Sequence, residues 1–178
     1  MPKISAFTKK IGVKFEFQDG SLRWFDLASA NQISSAQCKF NEAICMALSP
    51  DESYCFVGSS DGILAQVILR DQNLKFVTQT KLEDDESHPI ESIDFHSSGE
   101  MLALASLSGI TYVFETSKLG RNNQNVRLKL VHPDGVNGVK FCPGDLPRVS
   151  HKIYFKNFLT EIQDQIHSRK LAVPFLKS

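Results

Sequence analysis

Short runs of alternating apolar and polar residues, separated by turn residues, follow one another along most of the chain. One phrase of this pattern occurs three times: an alternating run that ends in Leu or Phe and then enters a turn. The copies occupy residues 43–50, 89–96 and 136–143. Leu48, Phe95 and Phe141 hold equivalent places, so the period is about 46 residues, which is typical of repeat proteins.

A second phrase follows the first and predicts β-hairpins. Asp61-Gly62 and Ser108-Gly109 each lie between two strand-like runs, and Asp19-Gly20 does the same ahead of the first complete repeat. Glycine after Asp or Ser supplies the positive φ that a two-residue hairpin needs. Many short strands at regular spacing predict an all-β repeat architecture that the chain enters partway through a repeat.

These hairpins resemble the blades of the WD40 family, in which a Ser-x-Asp-Gly hairpin precedes a closing Trp-Asp pair. The matching residues are Asp19-Gly20 before Phe25-Asp26, Ser108-Gly109 before Phe114-Glu115, and Gly58 to Gly62 before Val67-Ile68, with His88 and His132 near the family's histidine. The resemblance covers roughly residues 11 to 145 and implies WD40-like β-propeller blades. Phe25, Phe114 and Val67 lack the indole donor of Trp, so we expect apolar packing to hold the blades together.

The chain is therefore divided into an N-terminal segment 1–10, WD40-like blades over 11–145 and a C-terminal segment 146–178. The blades are a partial blade 11–40, blades 41–83 and 88–131, and the start of a further blade at 134–145. About three blades make an incomplete ring. Three interpretations of the incomplete ring stay open. The ring is completed by another chain or by self-association, the chain is a fragment of a longer propeller, or the sheets form an open stack capped by the chain's own C-terminal helix.

The apolar pattern changes its period near residue 153. Five apolar residues then fall at i, i+3, i+4, i+7 and i+11: Phe155, Phe158, Leu159, Ile162 and Ile166. This spacing is one face of an α-helix and predicts an amphipathic helix over about 153–170. Two interpretations stay open for that face, packing on the chain's own last sheet or insertion into a partner's groove.

Charge and cysteine content narrow the class of function. Lys and Arg number 20 and Asp and Glu also number 20, so the basic excess of a nucleic-acid-binding protein is missing and no direct nucleic-acid partner is expected. No apolar run is long enough to predict a membrane span. The cysteines Cys38, Cys45, Cys55 and Cys142 show no C-x-x-C spacing and predict buried thiols in a reducing compartment, the cytoplasm or the nucleus.

No motif in the sequence indicates an enzyme, a cofactor or a metal site. The acidic run Glu83–Glu86 is interpreted as a solvated loop, and the five histidines lack the spacing of zinc ligands. Ser59, Ser60, Ser106 and Ser108 are interpreted as hairpin residues, not nucleophiles. The one tryptophan, Trp24, is a candidate partner-binding residue or a residue buried against the adjacent blade.

The sequence thus predicts a non-catalytic protein–protein interaction scaffold, a WD40-like subunit of a multiprotein complex. Its candidate partner-binding residues are Trp24, Phe155, Phe158, Leu159, Ile162 and Ile166. A truncated or alternative product of a longer WD40 protein is the alternative hypothesis. A propeller-fold enzyme is a third, and it would need acidic or histidine side chains that converge on a central channel.

Overall fold

The computed structural model describes residues 5–7, 13–18, 20–26, 28–40, 42–82, 88–119, 126–142, 148–155 and 158–165. Side chains are described for 20–26, 28–40, 42–82, 88–119, 126–142 and 149–150. Within these residues the chain forms fifteen β-strands and a single 3₁₀ turn at Thr116–Lys118. The predicted all-β class is confirmed.

The strands form four sheets in which each strand pairs antiparallel with the next one along the chain. Sheet 1 contains β1 (Ser5–Phe7), β2 (Val13–Gln18), β3 (Ser21–Asp26) and β4 (Gln32–Gln37). Sheet 2 contains β5 (Ala43–Leu48), β6 (Tyr54–Ser59), β7 (Ile63–Arg70) and β8 (Asn73–Lys81). Sheet 3 contains β9 (Ile90–Phe95), β10 (Met101–Ser106), β11 (Ile110–Glu115) and β12 (Val126–Val131). Sheet 4 contains β13 (Val136–Phe141), β14 (Arg148–Phe155) and β15 (Phe158–Gln165).

The sheets lie side by side, in chain order, around a common inner edge. β1 contacts β5, β5 contacts β9, and β9 contacts β13, so the first strand of every sheet faces the same axis. The described strands form four sheets instead of the predicted three or so, because β13 is the first strand of a three-stranded sheet. The described sheets do not close into a ring, which agrees with the incomplete ring that the sequence predicted.

A separate apolar cluster fills each space between neighbouring sheets. Leu22, Trp24 and Cys55 belong to the cluster between sheets 1 and 2. Phe56 and Leu104 belong to the cluster between sheets 2 and 3, and the third cluster, between sheets 3 and 4, is made mostly of alanine and valine. Since every residue of β10 and five of the six in β6 are buried, both faces of sheets 2 and 3 form core.

Side chains on the inner strands also join one sheet to the next. The thiol of Cys45 donates to the carbonyl of Ile90 over 3.1 Å, which links sheet 2 to sheet 3. The carboxylate of Asp94 accepts bonds from Lys140 Nζ at 2.7 Å and from the backbone N–H of Phe141 at 2.8 Å, which links sheet 3 to sheet 4. Charge-assisted bonds of this kind are stronger than neutral ones, and they fix the relative placement of the inner strands.

The predicted helix over 153–170 is wrong for the part of that range that the structure describes, while residues 156–157 and 166–170 lie outside the described residues. β14 and β15 pair antiparallel from Arg148↔Gln165 to Phe155↔Phe158, so residues 148–155 and 158–165 are two paired strands. Residues two apart share a face of a strand, so the predicted apolar stripe is divided between two faces: Phe158 and Ile162 lie at positions of one face of β15, and Leu159 at a position of the other. Two causes favour the strand: the β-branched and aromatic residues of this stretch, and the edge that β14 offers to it.

Candidate partner-binding surface

The hairpins between the second and third strands of sheets 1 to 3 all lie at one end of the array, here called the hairpin end. In each of these sheets a hairpin glycine carbonyl accepts a bond from the N–H of the residue that follows the fourth strand. The three bonds are Cys38 to Gly20 at 2.8 Å, Leu82 to Gly62 at 3.1 Å, and His132 to Gly109 at 2.7 Å. The glycines have φ of +75°, +76° and +83°, as the hairpin prediction requires. The hairpin end is thus a repeated, hydrogen-bonded platform.

A serine at the end of β6 fixes the hairpin of sheet 2. The Ser59 hydroxyl donates to the Asp61 carboxylate over 2.5 Å and accepts the N–H of Ile63 at 2.8 Å. Ser59 is fully buried and Asp61 is exposed. The predicted hairpin role of Ser59 is supported by these bonds, which hold a buried hydroxyl in a structural network.

Sheet 3 has a variant of the same arrangement. The Ser108 hydroxyl donates to Ser106 Oγ over 2.9 Å, and the backbone N–H of Ser108 lies 3.2 Å from the same oxygen. Thr111 Oγ1 lies 3.4 Å from His132 Nε2, so the histidine at the WD40-like position contacts the third strand of its sheet. The Ser108 hydroxyl thus occupies the position that the Asp61 carboxylate has in the hairpin of sheet 2.

The turns between first and second strands, at the opposite end of the array, are closed by their own side chains. In sheet 2 the Asp51 carboxylate accepts bonds from the hydroxyls of Ser49 and Ser53, and these bonds lower the pKa of Asp51 below its usual value. In sheet 3 the backbone N–H of Ser98 donates to Nδ1 of the buried His96. The His96 ring also packs edge-on against Phe141 of sheet 4, with 5.3 Å between the ring centroids.

Two large apolar side chains are exposed at the hairpin end of sheet 3. Leu107, in the hairpin itself, is 40% exposed, and Val131, the last residue of β12, is 74% exposed. Val131 is in register with Ile110, which directly follows the hairpin, and the Leu107 carbonyl lies close to Gly135. Sequence reasoning missed both residues, although a leucine between two hairpin serines was a visible signal, since turns favour polar residues.

Trp24 lies in the core, not on the surface. It is 7% exposed and packs with Leu22 and Cys55 in the cluster between sheets 1 and 2. Burial against the adjacent sheet is therefore the interpretation of Trp24 that agrees with the structure. Phe25, at the next position, lies on the opposite face of β3 and is half-buried. A contact between Trp24 and a partner stays a prediction.

The other candidate partner-binding residues fall in or beyond the last hairpin. Phe155 ends β14, and Phe158, Leu159 and Ile162 lie in β15, where Ile162 is in register with His151. Ile166 lies outside the described residues. The structure therefore places Trp24 in sheet 1 and the apolar residues of the last hairpin in sheet 4, so they do not form one site.

Burial makes three of the four cysteines poor nucleophiles. All four are free thiols, and burial raises the pKa of Cys38 to about 11 and that of Cys45 to about 12. Burial raises the pKa of Cys55 still further. A thiol with a raised pKa holds little of the nucleophilic thiolate at neutral pH. Among the described residues no group of His, Cys, Asp and Glu is placed to bind a metal ion, and no helix has the length and apolarity to cross a membrane.

The fold, rather than the sequence, connects this chain to known proteins. No protein-family model matches the sequence, and no curated protein is significantly similar to it. The described architecture is similar to the crystal structure of the β-propeller domain of Cps50 (Swd1) from Myceliophteria thermophila, with a TM-score of 0.71 and 14% sequence identity. The match covers 86% of this chain, which spans about half (50%) of that domain. The chain thus has a β-propeller fold, seen here as four successive sheets.

Proposed function

We propose that the chain is a non-catalytic protein–protein interaction scaffold built from divergent WD40-type blades, and that it acts as a subunit of a multiprotein complex. The observation that carries the proposal is the hairpin end of sheet 3, where Leu107 and Val131 are exposed on a platform held by backbone hydrogen bonds. Apolar side chains on a rigid support lose little conformational entropy when a partner covers them. This is how a few residues supply most of the energy of an interface.

The buried polar groups support a scaffold over an enzyme. Ser59, Ser106 and Thr111 are fully buried and hydrogen-bonded to neighbouring side chains of their own sheets. The Ser98 hydroxyl lies 2.9 Å from Nδ1 of His96, but Nε2 of that buried ring has no hydrogen-bond partner among the described residues, so the pair lacks the third group that orients a catalytic histidine. His132 contacts the Thr111 hydroxyl at 3.4 Å, an arrangement that orients a strand end. The free thiols support a reducing compartment, the cytoplasm or the nucleus, as the site of action.

Substitution of the exposed residues tests the proposal. We expect the double variant Leu107→Asp, Val131→Asp to lose at least about 100-fold in affinity for the partner, because each charge would be buried in an apolar contact. The partner is first identified by crosslinking the intact chain in cells, and affinity is then measured with the purified components by titration calorimetry.

A matched control separates binding from folding. Val77 is also a large exposed apolar side chain, but it lies in β8 of sheet 2, away from the hairpin end. Val77→Asp should bind with unchanged affinity, and all variants should keep the urea midpoint of the parent chain. The proposal fails if the double variant binds the partner as tightly as Val77→Asp does, or if the identified partner proves to be a small substrate that the chain turns over.

A further inference from the structure

We propose that Gly135 is a positioning residue, which holds the side chain of Leu107 in one fixed orientation at the hairpin end of sheet 3. Leu107 is then a preformed anchor for a partner instead of a freely rotating side chain. This inference rests on the proposed function and deepens it, because it names the residue that controls how the exposed leucine is presented.

The backbone of Leu107 is fixed from two sides by the connections between sheets. Its N–H donates to the carbonyl of Pro89 over 3.1 Å, and Pro89 lies immediately before β9. Its carbonyl lies so close to Gly135, the residue immediately before β13, that a Cβ built on Gly135 would be 3.0 Å from the Leu107 oxygen. A movement of Leu107 would therefore disturb the start of two inner strands.

The side chain of Leu107 packs against the place where any other residue at position 135 would carry its Cβ. Such a Cβ would lie 3.2 Å from Leu107 Cδ2 and 3.6 Å from Leu107 Cα. Two carbon atoms attract most strongly at about 3.5 to 4.0 Å, so the first of these contacts is too short. Only glycine at position 135 leaves room for the observed orientation of the leucine.

Sheet 2 has a different pair of residues at the corresponding positions. Ser60 corresponds to Leu107, since its N–H donates to the carbonyl of Glu42, the residue immediately before β5. Pro89 corresponds to Gly135, since it comes immediately before β9. Sheet 3 thus combines an exposed leucine with a glycine, whereas sheet 2 combines a serine with a proline. The space at Gly135 accompanies the leucine that uses it.

A leucine that is fixed before binding gives a tighter complex than a mobile one. An exposed side chain normally exchanges between staggered rotamers within nanoseconds, and a partner has to restrict it to one of them. The entropy lost by one such side chain corresponds to about a three- to tenfold loss of affinity. The contact with Gly135 removes this cost, because it selects the rotamer of Leu107 in the free chain.

Methyl NMR of the intact, isotopically labelled chain tests the orientation without a partner. The Leu107→Ala variant assigns the methyl signals of Leu107 by their disappearance. We expect a nuclear Overhauser effect between the δ2 methyl group of Leu107 and the α protons of Gly135, and three-bond couplings of one dominant χ2 rotamer. In Gly135→Ala the couplings should change, because the added methyl group occupies the space of Cδ2, while the urea midpoint shifts by less than about 0.5 M.

Titration calorimetry with the partner identified by crosslinking tests the consequence for binding. Gly135→Ala should bind that partner about three- to tenfold more weakly than the parent chain does. The same substitution in the Leu107→Ala background should change the affinity by less than about twofold, because Gly135 acts through the leucine side chain.

Three results would overturn the inference: several populated rotamers of Leu107 in the parent chain, unchanged affinity in Gly135→Ala, or an equal loss of affinity with and without the leucine. The first of these is measured on the parent chain, so it does not depend on how well a variant folds. The proposed function fails in a different way, when the double variant Leu107→Asp, Val131→Asp binds the partner as tightly as Val77→Asp does.

Discussion

Replacement of Leu104 by Ala should destabilise the chain by about 2 to 5 kcal/mol, the cost of a cavity in a well-packed core. Leu104 lies in β10, is fully buried, and packs with Phe56 and Tyr112 between sheets 2 and 3. Total stabilities of about 5 to 15 kcal/mol are usual for a domain of this size, so the loss is a large share of the whole. Urea denaturation followed by fluorescence of Trp24 measures it.

Leu107→Ala is the matched control for Leu104→Ala. It removes the same atoms three residues further on, from a side chain that is 40% exposed in the hairpin. We expect it to change the free energy of unfolding by less than about 1 kcal/mol. Equal losses from both variants would show that the space between sheets 2 and 3 is not the core described above.

The second large effect is expected at Gly109, where an added methyl group meets two obstacles. Its φ of +83° is unfavourable for any residue with a Cβ, and the new Cβ would lie 2.8 Å from the His132 carbonyl oxygen and 2.9 Å from that of Asp134. Both oxygens belong to the backbone, so the connection to sheet 4 would have to shift. Gly109→Ala should cost about 3 kcal/mol of unfolding free energy, of which about 1 to 2 kcal/mol comes from φ alone.

Gly99→Ala isolates the contribution of φ. Gly99 has nearly the same φ, +75°, but its added Cβ would meet only Pro50 at 3.5 Å, an ordinary contact distance. Gly99→Ala should therefore cost only the roughly 1 to 2 kcal/mol of unfolding free energy that the backbone conformation accounts for. Urea midpoints of the two variants, measured side by side, provide the comparison. If Gly109→Ala costs no more unfolding free energy than Gly99→Ala, then Gly109 is not in close contact with the carbonyl oxygens of His132 and Asp134.

The features fixed by local chemistry were predictable from the sequence. Gly62 and Gly109 have the positive φ that the hairpin prediction required. The period marked by Leu48, Phe95 and Phe141 correctly identified the ends of β5, β9 and β13, the inner strands of three sheets. Both signals act within a few residues and do not depend on distant parts of the chain.

The features that depend on distant contacts were not predictable. Phe158 and Ile162 are four residues apart, a spacing that fits a helical turn and also one face of a strand, and the pairing of β15 with β14 selects the strand. β1, Ser5–Phe7, is too short to show a pattern and exists through its pairing with β2. The burial of Trp24 and the exposure of Val131 likewise follow from which sheet covers which face.

The packing of sheets 2 and 3 on both of their faces is the central feature of this architecture, and amide hydrogen exchange of the intact chain tests it most directly. We predict that the slowest amides are those of β6 and β10, which exchange only on global unfolding, about 100-fold or more slower than amides of the outermost strands β8 and β12. Exchange of β6 and β10 as fast as that of β8 and β12, with the slowest amides elsewhere in the chain, would contradict it.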